Sequence, residues 1–189
     1  MKQVPVGVSA RHIHLSKEHI EILFGKDYEL TVLKDLSQPG QYAANETVKV
    51  EGTKNCFEKV RILGPARGDS QLEISKTDSF YLGVKAPVRE SGDIEDSPGI
   101  KVVGPAGEVE MEKGVIIAAR HIHFHTSDAE KWGIQNKQLL KVKVNGERPL
   151  IFEDVVARIS NDFALDMHID TDEANAAGVK NGEMAEIID

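Results

Sequence analysis

The amino-acid sequence has a single cysteine and no long apolar run, so it lacks the features that define disulfide-stabilised and membrane-spanning proteins. It contains one cysteine, Cys56, among 189 residues, so an internal disulfide is excluded. Its longest apolar run, residues 115–119, is far shorter than the ~20 residues that a transmembrane helix needs. No charged leader followed by an apolar segment and a cleavage site opens the chain. Together these features predict a cytoplasmic protein that does not span a membrane.

Aromatic and basic residues are also scarce. Phe, Trp and Tyr make up only 5% of the chain, so aliphatic side chains must fill most of the interior. The formal net charge is -8 at pH 7, which argues against nucleic acid as a partner, because its binding normally requires a basic face. A small phosphate-bearing molecule stays compatible with this charge if metal ions or a few arginines supply local positive charge.

Short alternating segments rich in Val, Ile and Thr predict a mainly β protein with short helices. Pairs of Pro and Gly separate these segments at the spacing typical of a barrel or sandwich. A capping-box pattern predicts a helix start at Ser127, and a second helix is predicted from Thr171 to Gly178. The predicted strands are 47–51, 59–63, 71–75, 101–103, 139–144 and 183–188.

The chain repeats itself. Residues 9–14 match residues 118–123 at five of six positions, with Ala-Arg-His-Ile-His common to both. A second repeat relates residues 133–136 to residues 178–181, and each segment follows a predicted short helix. Two related lobes explain both repeats, and composition alone places their boundary within 95–114, which is rich in Gly, Pro and charge.

The repeated motif carries four of the seven histidines. In an extended strand, residues two apart point to the same face, so His12 and His14 can converge on one point, as can His121 and His123. Neutral imidazole is a common ligand of Zn²⁺. One such pair is equally compatible with a surface strand that exposes two solvated imidazoles, but its repetition favours a metal site.

Three further residues are candidates with ordinary alternatives. Glu73 is either an exposed strand carboxylate or a metal ligand. Arg67 stands in a Gly-rich turn, where its guanidinium is either solvated or able to grip phosphate oxygens. His168, between acidic neighbours, is by itself typical of a histidine at the entry of a helix.

The chain resembles the PduL-type phosphate acyltransferases, also called phosphate propanoyltransferases or phosphotransacylases. The resemblance covers nearly the whole chain, and its ordered motifs make it specific. The matching segments are 6–15, 64–67, 71–73, 77–78, 119–123 and 167–174.

The resemblance implies two β-barrel domains capped by short helices, with the active site in the cleft between them. One barrel would be discontinuous, built from residues 1–10 and 119–189, and the other would contain residues 11–118. A lid insertion is implied at about residues 25–44, with the turn at Pro39 and Gly40 as its mobile part. This replaces the boundary that composition alone suggests.

The resemblance also implies a catalytic site. The implied activity interconverts acyl-CoA and phosphate with acyl phosphate and CoA, using two zinc ions per chain. His12, His14 and Glu73 would hold one zinc, while His121, His123 and His168 would hold the other. Arg67 would bind phosphate as a catalytic residue. The positions that would contact coenzyme A are Val8, Ser9, Ala10, Lys54, Arg61 and Asn175.

Several points stay open at this stage. The acyl chain, propanoyl or acetyl or longer, is not legible from motifs, and a homodimer is compatible with the sequence. Family members of bacterial microcompartments carry an amphipathic N-terminal extension, which this sequence lacks before its first motif. A free cytoplasmic enzyme or a truncated chain is therefore expected, and association with a microcompartment stays open. The alternatives are a zinc-dependent hydrolase of a thioester or phosphate ester, and a non-catalytic scaffold stabilised by zinc.

Overall fold

A computed structural model describes residues 2–188, and it confirms a mainly β fold, with 44% of residues in strands and 16% in helices. The chain divides into two compact units. The first contains the N-terminal residues to Ala10, Ser37–Pro39, and the segment from Ala119 onward; the second contains Arg11–Leu36 and Gly40–Ala118.

The first unit is a closed barrel of six strands in the order β1-β14-β11-β13-β12-β15. Closure leaves no unpaired sheet edge in the barrel. In β12 the sequence Leu-Leu-Lys-Val-Lys-Val alternates exposed and buried side chains, as a strand with one face on a core requires. Its strands are β1 (Lys2–Ser9), β11 (His121–Phe124), β12 (Leu139–Val144), β13 (Leu150–Ile159), β14 (Asp166–Asp170) and β15 (Met184–Ile188).

Nine strands of the second unit form a curled, half-barrel sheet. Its path runs β7-β10-β6-β2-β5-β4-β8-β9, with β3 paired to β4. The strands are β2 (His12–His14), β3 (Val32–Asp35), β4 (Tyr42–Glu51), β5 (Cys56–Gly64), β6 (Gln71–Glu73), β7 (Val88–Arg89), β8 (Ile100–Val103), β9 (Glu108–Met111) and β10 (Val115–Ala118).

Each unit has its own hydrophobic core. Aliphatic residues dominate both cores, as the low aromatic content predicts, and Phe124 and Phe152 are the aromatic side chains buried in the first. The core of the second unit includes Ile13, Ile62 and Leu72 from three adjacent strands. Those strands also carry His12, His14 and Glu73, so the core fixes the backbone behind these polar side chains.

Short helices with strong caps interrupt the strands. They are α1 (Lys17–Phe24), α2 (Lys76–Leu82), α3 (Thr126–Trp132) and α4 (Thr171–Ala177). The second predicted helix is confirmed, with Asp170 as its N-cap and Gly178 as its left-handed C-cap. The predicted start at Ser127 is wrong, because the His125 side chain accepts the hydrogen bond from the Ser127 N–H and so caps α3 two residues earlier.

The predicted strand 71–75 is also too long. It ends at Glu73, because Ser75 turns the backbone and forms a capping box with Asp78 at the start of α2. Of the segment 25–44, residues Ser37–Pro39 group with the first unit. There the Gln38 amide pairs with the backbone of Ala164, donating at 2.9 Å and accepting at 3.2 Å.

Among residues 2–188, none of the helices has the length and apolar character needed to cross a bilayer.

Candidate functional site

The second unit brings His12, His14 and Glu73 together, and we call these three residues the Glu73 cluster. One possible ligand atom from each lies within 4.8 Å of the others. Glu73 Oε2 is 3.5 Å from His12 Nε2, while Glu73 Oε1 is 3.9 Å from His14 Nε2. All three residues are buried.

Strand pairing explains this convergence. β2 lies between β5, which is parallel to it, and β6, which is antiparallel. Glu73 lies directly opposite His12 on β6, and residues that are opposite share a face of the sheet. His14 lies two residues further on the same face, and the two imidazole rings are 5.1 Å apart.

The surroundings of His14 and Glu73 favour the protonation states that metal binding requires. Desolvation, with the charges of His12 and Arg67, lowers the pKa of His14 to about 3, so its imidazole is neutral at pH 7. Burial alone would raise the pKa of Glu73, but His12, His14 and a hydrogen bond from Ser91 outweigh it and lower the pKa. Neutral imidazoles and a carboxylate are the protonation states that a metal ion requires.

Arg67 is connected to the Glu73 cluster through Ser91. Its Nη1 donates to Ser91 Oγ at 3.2 Å, and the same hydroxyl contacts Glu73 Oε1 at 2.9 Å. The turn that carries Arg67 is fastened to the end of β2, because the Arg67 N–H donates to the Leu15 carbonyl at 2.9 Å. A guanidinium and a buried carboxylate are thus linked through one serine.

The first unit brings His121, His123 and His168 together, and we call these the His168 cluster. His168 on β14 lies directly opposite His121 on β11. His121 Nδ1 lies 2.8 Å from the Ala119 carbonyl, so Nδ1 carries the proton and Nε2 keeps a lone pair. That Nε2 faces His123 Nε2 at 3.0 Å.

A cation could accept the lone pairs of these two facing Nε2 atoms. Without one, protonation of His123 on Nδ1 leaves the two lone pairs facing each other, whereas protonation on Nε2 gives a hydrogen bond to His121; in either form the buried His123 Nδ1 has no hydrogen-bond partner among the described residues. Burial and the nearby His121 and His168 lower the pKa of His123 to about 2, so adding a second proton to this ring is unfavourable.

The donor chemistry of both clusters fits zinc. Two imidazoles with one carboxylate, and three imidazoles, are the three-ligand sets that catalytic zinc sites use while they leave one position open for water or substrate. Structural zinc sites instead close four ligands around the ion, often with cysteine, and the single Cys56 belongs to neither cluster. His125, which caps α3, is also outside both clusters.

Four of the six positions considered for coenzyme A lie in the first unit. Val8 and Ser9 end β1 and Ala10 follows it, and Ser9 pairs with Asp170, the N-cap of α4. Asn175 is exposed on that same helix. The N–H of Val8 donates to Asn181 Oδ1 at 2.5 Å, just beyond α4. These residues therefore gather around one short helix and the strand beside it.

The other two positions lie in the second unit. Lys54 is exposed in the turn between β4 and β5, where its N–H donates to the Leu82 carbonyl at the end of α2. Arg61 lies opposite His12 on β5, but its Nη1 donates to the carbonyls of Ala44 and Asn45, both at 2.9 Å. Arg61 therefore also links β5 to β4.

Sequence patterns missed two residues that contact Glu73. Gln71 Nε2 donates to Glu73 Oε1 at 2.6 Å, and Ser91 adds the contact described above. Gln71 was recognisable as a same-face neighbour of Glu73, two residues away on one strand. Ser91 carries no such signal, because it comes from a loop eighteen residues later.

Fold and site together define a mainly β protein with two largely buried clusters of three possible metal ligands, one of them beside an arginine. A family model described as phosphate propanoyltransferase matches residues 5–180 of this chain. The chain belongs to the phosphate propanoyltransferase family and is therefore an enzyme of the acyltransferase class.

Relatives with that name are similar over nearly the full length. A phosphate propanoyltransferase of Thermotoga maritima is 57% identical over 185 residues, covering 97% of this chain and 88% of the relative. One from Priestia megaterium is 55% identical over 180 residues, with 95% and 83% covered. One from Listeria monocytogenes is 52% identical over 185 residues, with 98% and 87% covered.

Proposed function

We propose that this protein is a zinc-dependent phosphate acyltransferase that moves a propanoyl or acetyl group between coenzyme A and inorganic phosphate. Family membership supports the acyl transfer to phosphate. The observation that carries the rest is the shared hydroxyl of Ser91, which joins a phosphate-type arginine, Arg67, to a metal-type carboxylate, Glu73.

Arg67 would bind the phosphate. A guanidinium offers several N–H donors in a planar fork that matches two phosphate oxygens, and it keeps its charge at any physiological pH. Its bond to Ser91 and the attachment of its turn to Leu15 would hold that fork in one place. Fixing one reactant in this way turns a collision into an oriented attack, which contributes up to ~7–11 kcal/mol in favourable systems.

The Glu73 cluster would hold one zinc ion and the His168 cluster the other. A bound zinc ion would polarise the acyl carbonyl and lower the pKa of the coenzyme A thiol. The ends of β1 and α4, with Lys54 and Arg61, are the proposed contacts for coenzyme A.

No nucleophilic side chain of the protein is needed for this reaction. Cys56 donates to Glu58 Oε1 at 3.2 Å, and this hydrogen bond raises the pKa of the thiol, so thiolate is scarce at neutral pH. Direct transfer between the coenzyme A sulfur and a phosphate oxygen therefore fits these residues better than a covalent acyl-enzyme.

The experiment is a coupled assay on protein of measured zinc content. Propanoyl-CoA and acetyl-CoA are each incubated with and without inorganic phosphate, and both free CoA and acyl phosphate are quantified. We expect CoA release only with phosphate, with one acyl phosphate formed per CoA. Removing zinc with a chelator should abolish the release, and adding zinc should restore it.

The rival functions give different results in the same assay. A hydrolase would release CoA without phosphate, because water is its acceptor. A zinc-stabilised scaffold would contain zinc and show no turnover with either substrate, and it would lose its fold on chelation. Full activity in protein shown by elemental analysis to be free of metal would contradict zinc dependence.

A further inference from the structure

The loop between β7 and β8 places the Ser91 hydroxyl at the centre of a polar network. Three side chains contact this oxygen: Glu73 Oε1 at 2.9 Å, Gln71 Nε2 at 2.9 Å and Arg67 Nη1 at 3.2 Å. Ser91 is half-buried, whereas Gln71 and Glu73 are buried. The orientation of each group can be worked out from hydrogen-bonding capacity alone.

The backbone fixes the orientation of Gln71. The N–H of Gly92 donates to the Gln71 oxygen at 2.7 Å, and a backbone N–H requires an acceptor, so this atom is Oε1. The amide nitrogen must then face the other way. Its two hydrogens point to Glu73 Oε1 at 2.6 Å and to Ser91 Oγ at 2.9 Å.

The orientation of Ser91 follows. A serine hydroxyl can accept two hydrogen bonds and donate one. Gln71 Nε2 and Arg67 Nη1 are both donors, so they occupy the two acceptor positions. The single hydroxyl proton must therefore point to Glu73 Oε1, the remaining neighbour and an acceptor.

The two oxygens of Glu73 consequently differ. Oε1 receives hydrogen bonds from both Gln71 and Ser91. Oε2 is 3.5 Å from His12 Nε2, and Oε1 is 3.9 Å from His14 Nε2. We propose that Ser91 is a positioning residue: its hydroxyl holds Oε1 and so fixes the orientation of the Glu73 carboxylate towards a cation beside His12 and His14, while it also orients the Arg67 guanidinium.

This inference rests on the proposed function, since it assigns the cation and the phosphate to the groups that Ser91 joins. Ser91, a side chain outside the recognised motifs, would thus connect the cation site to the phosphate-binding arginine. Losing its hydroxyl would leave Oε1 with one hydrogen bond and would let the carboxylate rotate. It would also remove one acceptor that Arg67 Nη1 contacts.

The test compares Ser91→Ala and Ser91→Thr with the control Ser97→Ala. Ser97 belongs to the same loop and is buried, but its hydroxyl contacts only the backbone of Ile94 and Gly114 in the hydrogen bonds of the described residues. Metal-free protein is titrated with zinc against a chromogenic chelator, and the KM values for phosphate and for CoA are measured separately. Thermal melting checks that each variant is folded.

For Ser91→Ala we expect one of the two zinc sites to weaken by about ten- to a hundredfold, as for lost partners of metal ligands. The KM for phosphate should rise about two- to tenfold and the KM for CoA should not change. Ser91→Thr keeps the hydroxyl and should restore both values.

Two results would count against the inference in distinguishable ways. If wild-type protein binds zinc and needs phosphate, but Ser91→Ala matches Ser97→Ala in zinc affinity and in the KM for phosphate, the positioning role is wrong and the proposed function survives. If wild-type protein binds no zinc, the proposed function and this inference both fail.

Discussion

The two copies of Ala-Arg-His-Ile-His lie in the same kind of local framework, one in each unit. In both copies, the short strand that carries the histidines has a parallel neighbour on one side and an antiparallel neighbour on the other. The third cluster residue lies on the antiparallel neighbour, directly opposite the first histidine, as Glu73 opposite His12 and His168 opposite His121.

The surrounding contacts repeat as well. Two residues after the third cluster residue, a capping box begins a short helix in each copy. In each copy the motif arginine binds the acidic residue at the N3 position of that capping box. Arg11 binds Asp78, and Arg120 binds Glu173. Each arginine also lies over a phenylalanine ring, at 4.0 Å in the first copy and 5.4 Å in the second.

The two copies differ in the position of the carboxylate that lies at the cluster. In the first copy Glu73 occupies the cluster position and the neutral Gln71 lies opposite His14. In the second copy His168 occupies the cluster position, while Asp166 lies opposite His123 and is 3.1 Å from His168 Nε2. Glu73 is thus itself a member of its cluster, whereas Asp166 contacts a member of the other cluster, His168.

The largest expected effect comes from removing the carboxylate of the first copy. Glu73→Gln preserves volume and loses the negative charge, so the Glu73 cluster should no longer retain zinc. We expect about one zinc ion fewer per chain and loss of most turnover, with the His168 cluster still loaded. Elemental analysis and the coupled assay measure both quantities on the same preparation.

A matched control is Glu153→Gln, which removes an exposed carboxylate that pairs with Lys141 on the barrel surface. It should keep wild-type zinc content and turnover. Wild-type zinc content and rate in Glu73→Gln would show that Glu73 is an ordinary strand carboxylate.

The second effect concerns Arg67, which distinguishes phosphate handling from thiol handling. Arg67→Lys keeps the charge but cannot reproduce a two-pronged contact, so it should weaken phosphate use, and Arg67→Ala should weaken it more. Loss of a charge-assisted contact of roughly 1.5–3 kcal/mol corresponds to about ten- to a hundredfold in kcat/KM for phosphate. Steady-state kinetics with each substrate varied in turn measure this.

Zinc content should stay unchanged in both Arg67 variants, because arginine is not a metal ligand. A collapse in CoA affinity with normal phosphate dependence would instead assign Arg67 to the coenzyme A site.

The repeat explains how much of the site could be predicted from the sequence. Four histidines at a spacing of two, within five identical residues, predicted two histidine pairs, because side-chain direction alternates along any strand. Strand and helix positions followed where alternation or a capping pattern was local, as in β12 and α4. Glu73 and His168 were only candidates from residue type, and the resemblance rather than the pattern grouped them with the histidines.

The rest depended on pairing between distant segments, which no local pattern encodes. Ser91 reaches Glu73 from a loop eighteen residues later in the chain, and the amide of the buried Gln38 pairs with the backbone of Ala164. The start of α3 was misplaced for a different reason. Its cap is a histidine, a residue outside the Ser, Thr, Asp and Asn group that the capping pattern recognises.

A smaller effect should follow from the carboxylate of the second copy. Asp166 contacts His168 without belonging to the cluster, so Asp166→Asn should leave zinc stoichiometry intact at saturating zinc. Affinity of one site should fall by about ten- to a hundredfold, because a partner that orients a ligand histidine is lost. Zinc titration of metal-free protein measures this, and complete loss of one zinc would mean that Asp166 is itself a ligand.

The smallest effect tests the arginines that the two copies share. Arg11 makes two contacts with Asp78, at 2.7 and 3.0 Å, whereas Arg120 reaches Glu173 at 3.1 Å through Nη1. Because the Arg11 side chain is 40% exposed, we expect Arg11→Lys to cost about 1 kcal/mol of unfolding free energy, or ~2–4 °C in Tm. Arg120→Lys should cost less, since lysine can replace a single contact more easily than a fork.

Thermal melts of both variants in metal-free protein keep this comparison separate from zinc binding. Equal shifts, or a larger shift for Arg120→Lys, would show that the second contact of Arg11 adds no stability.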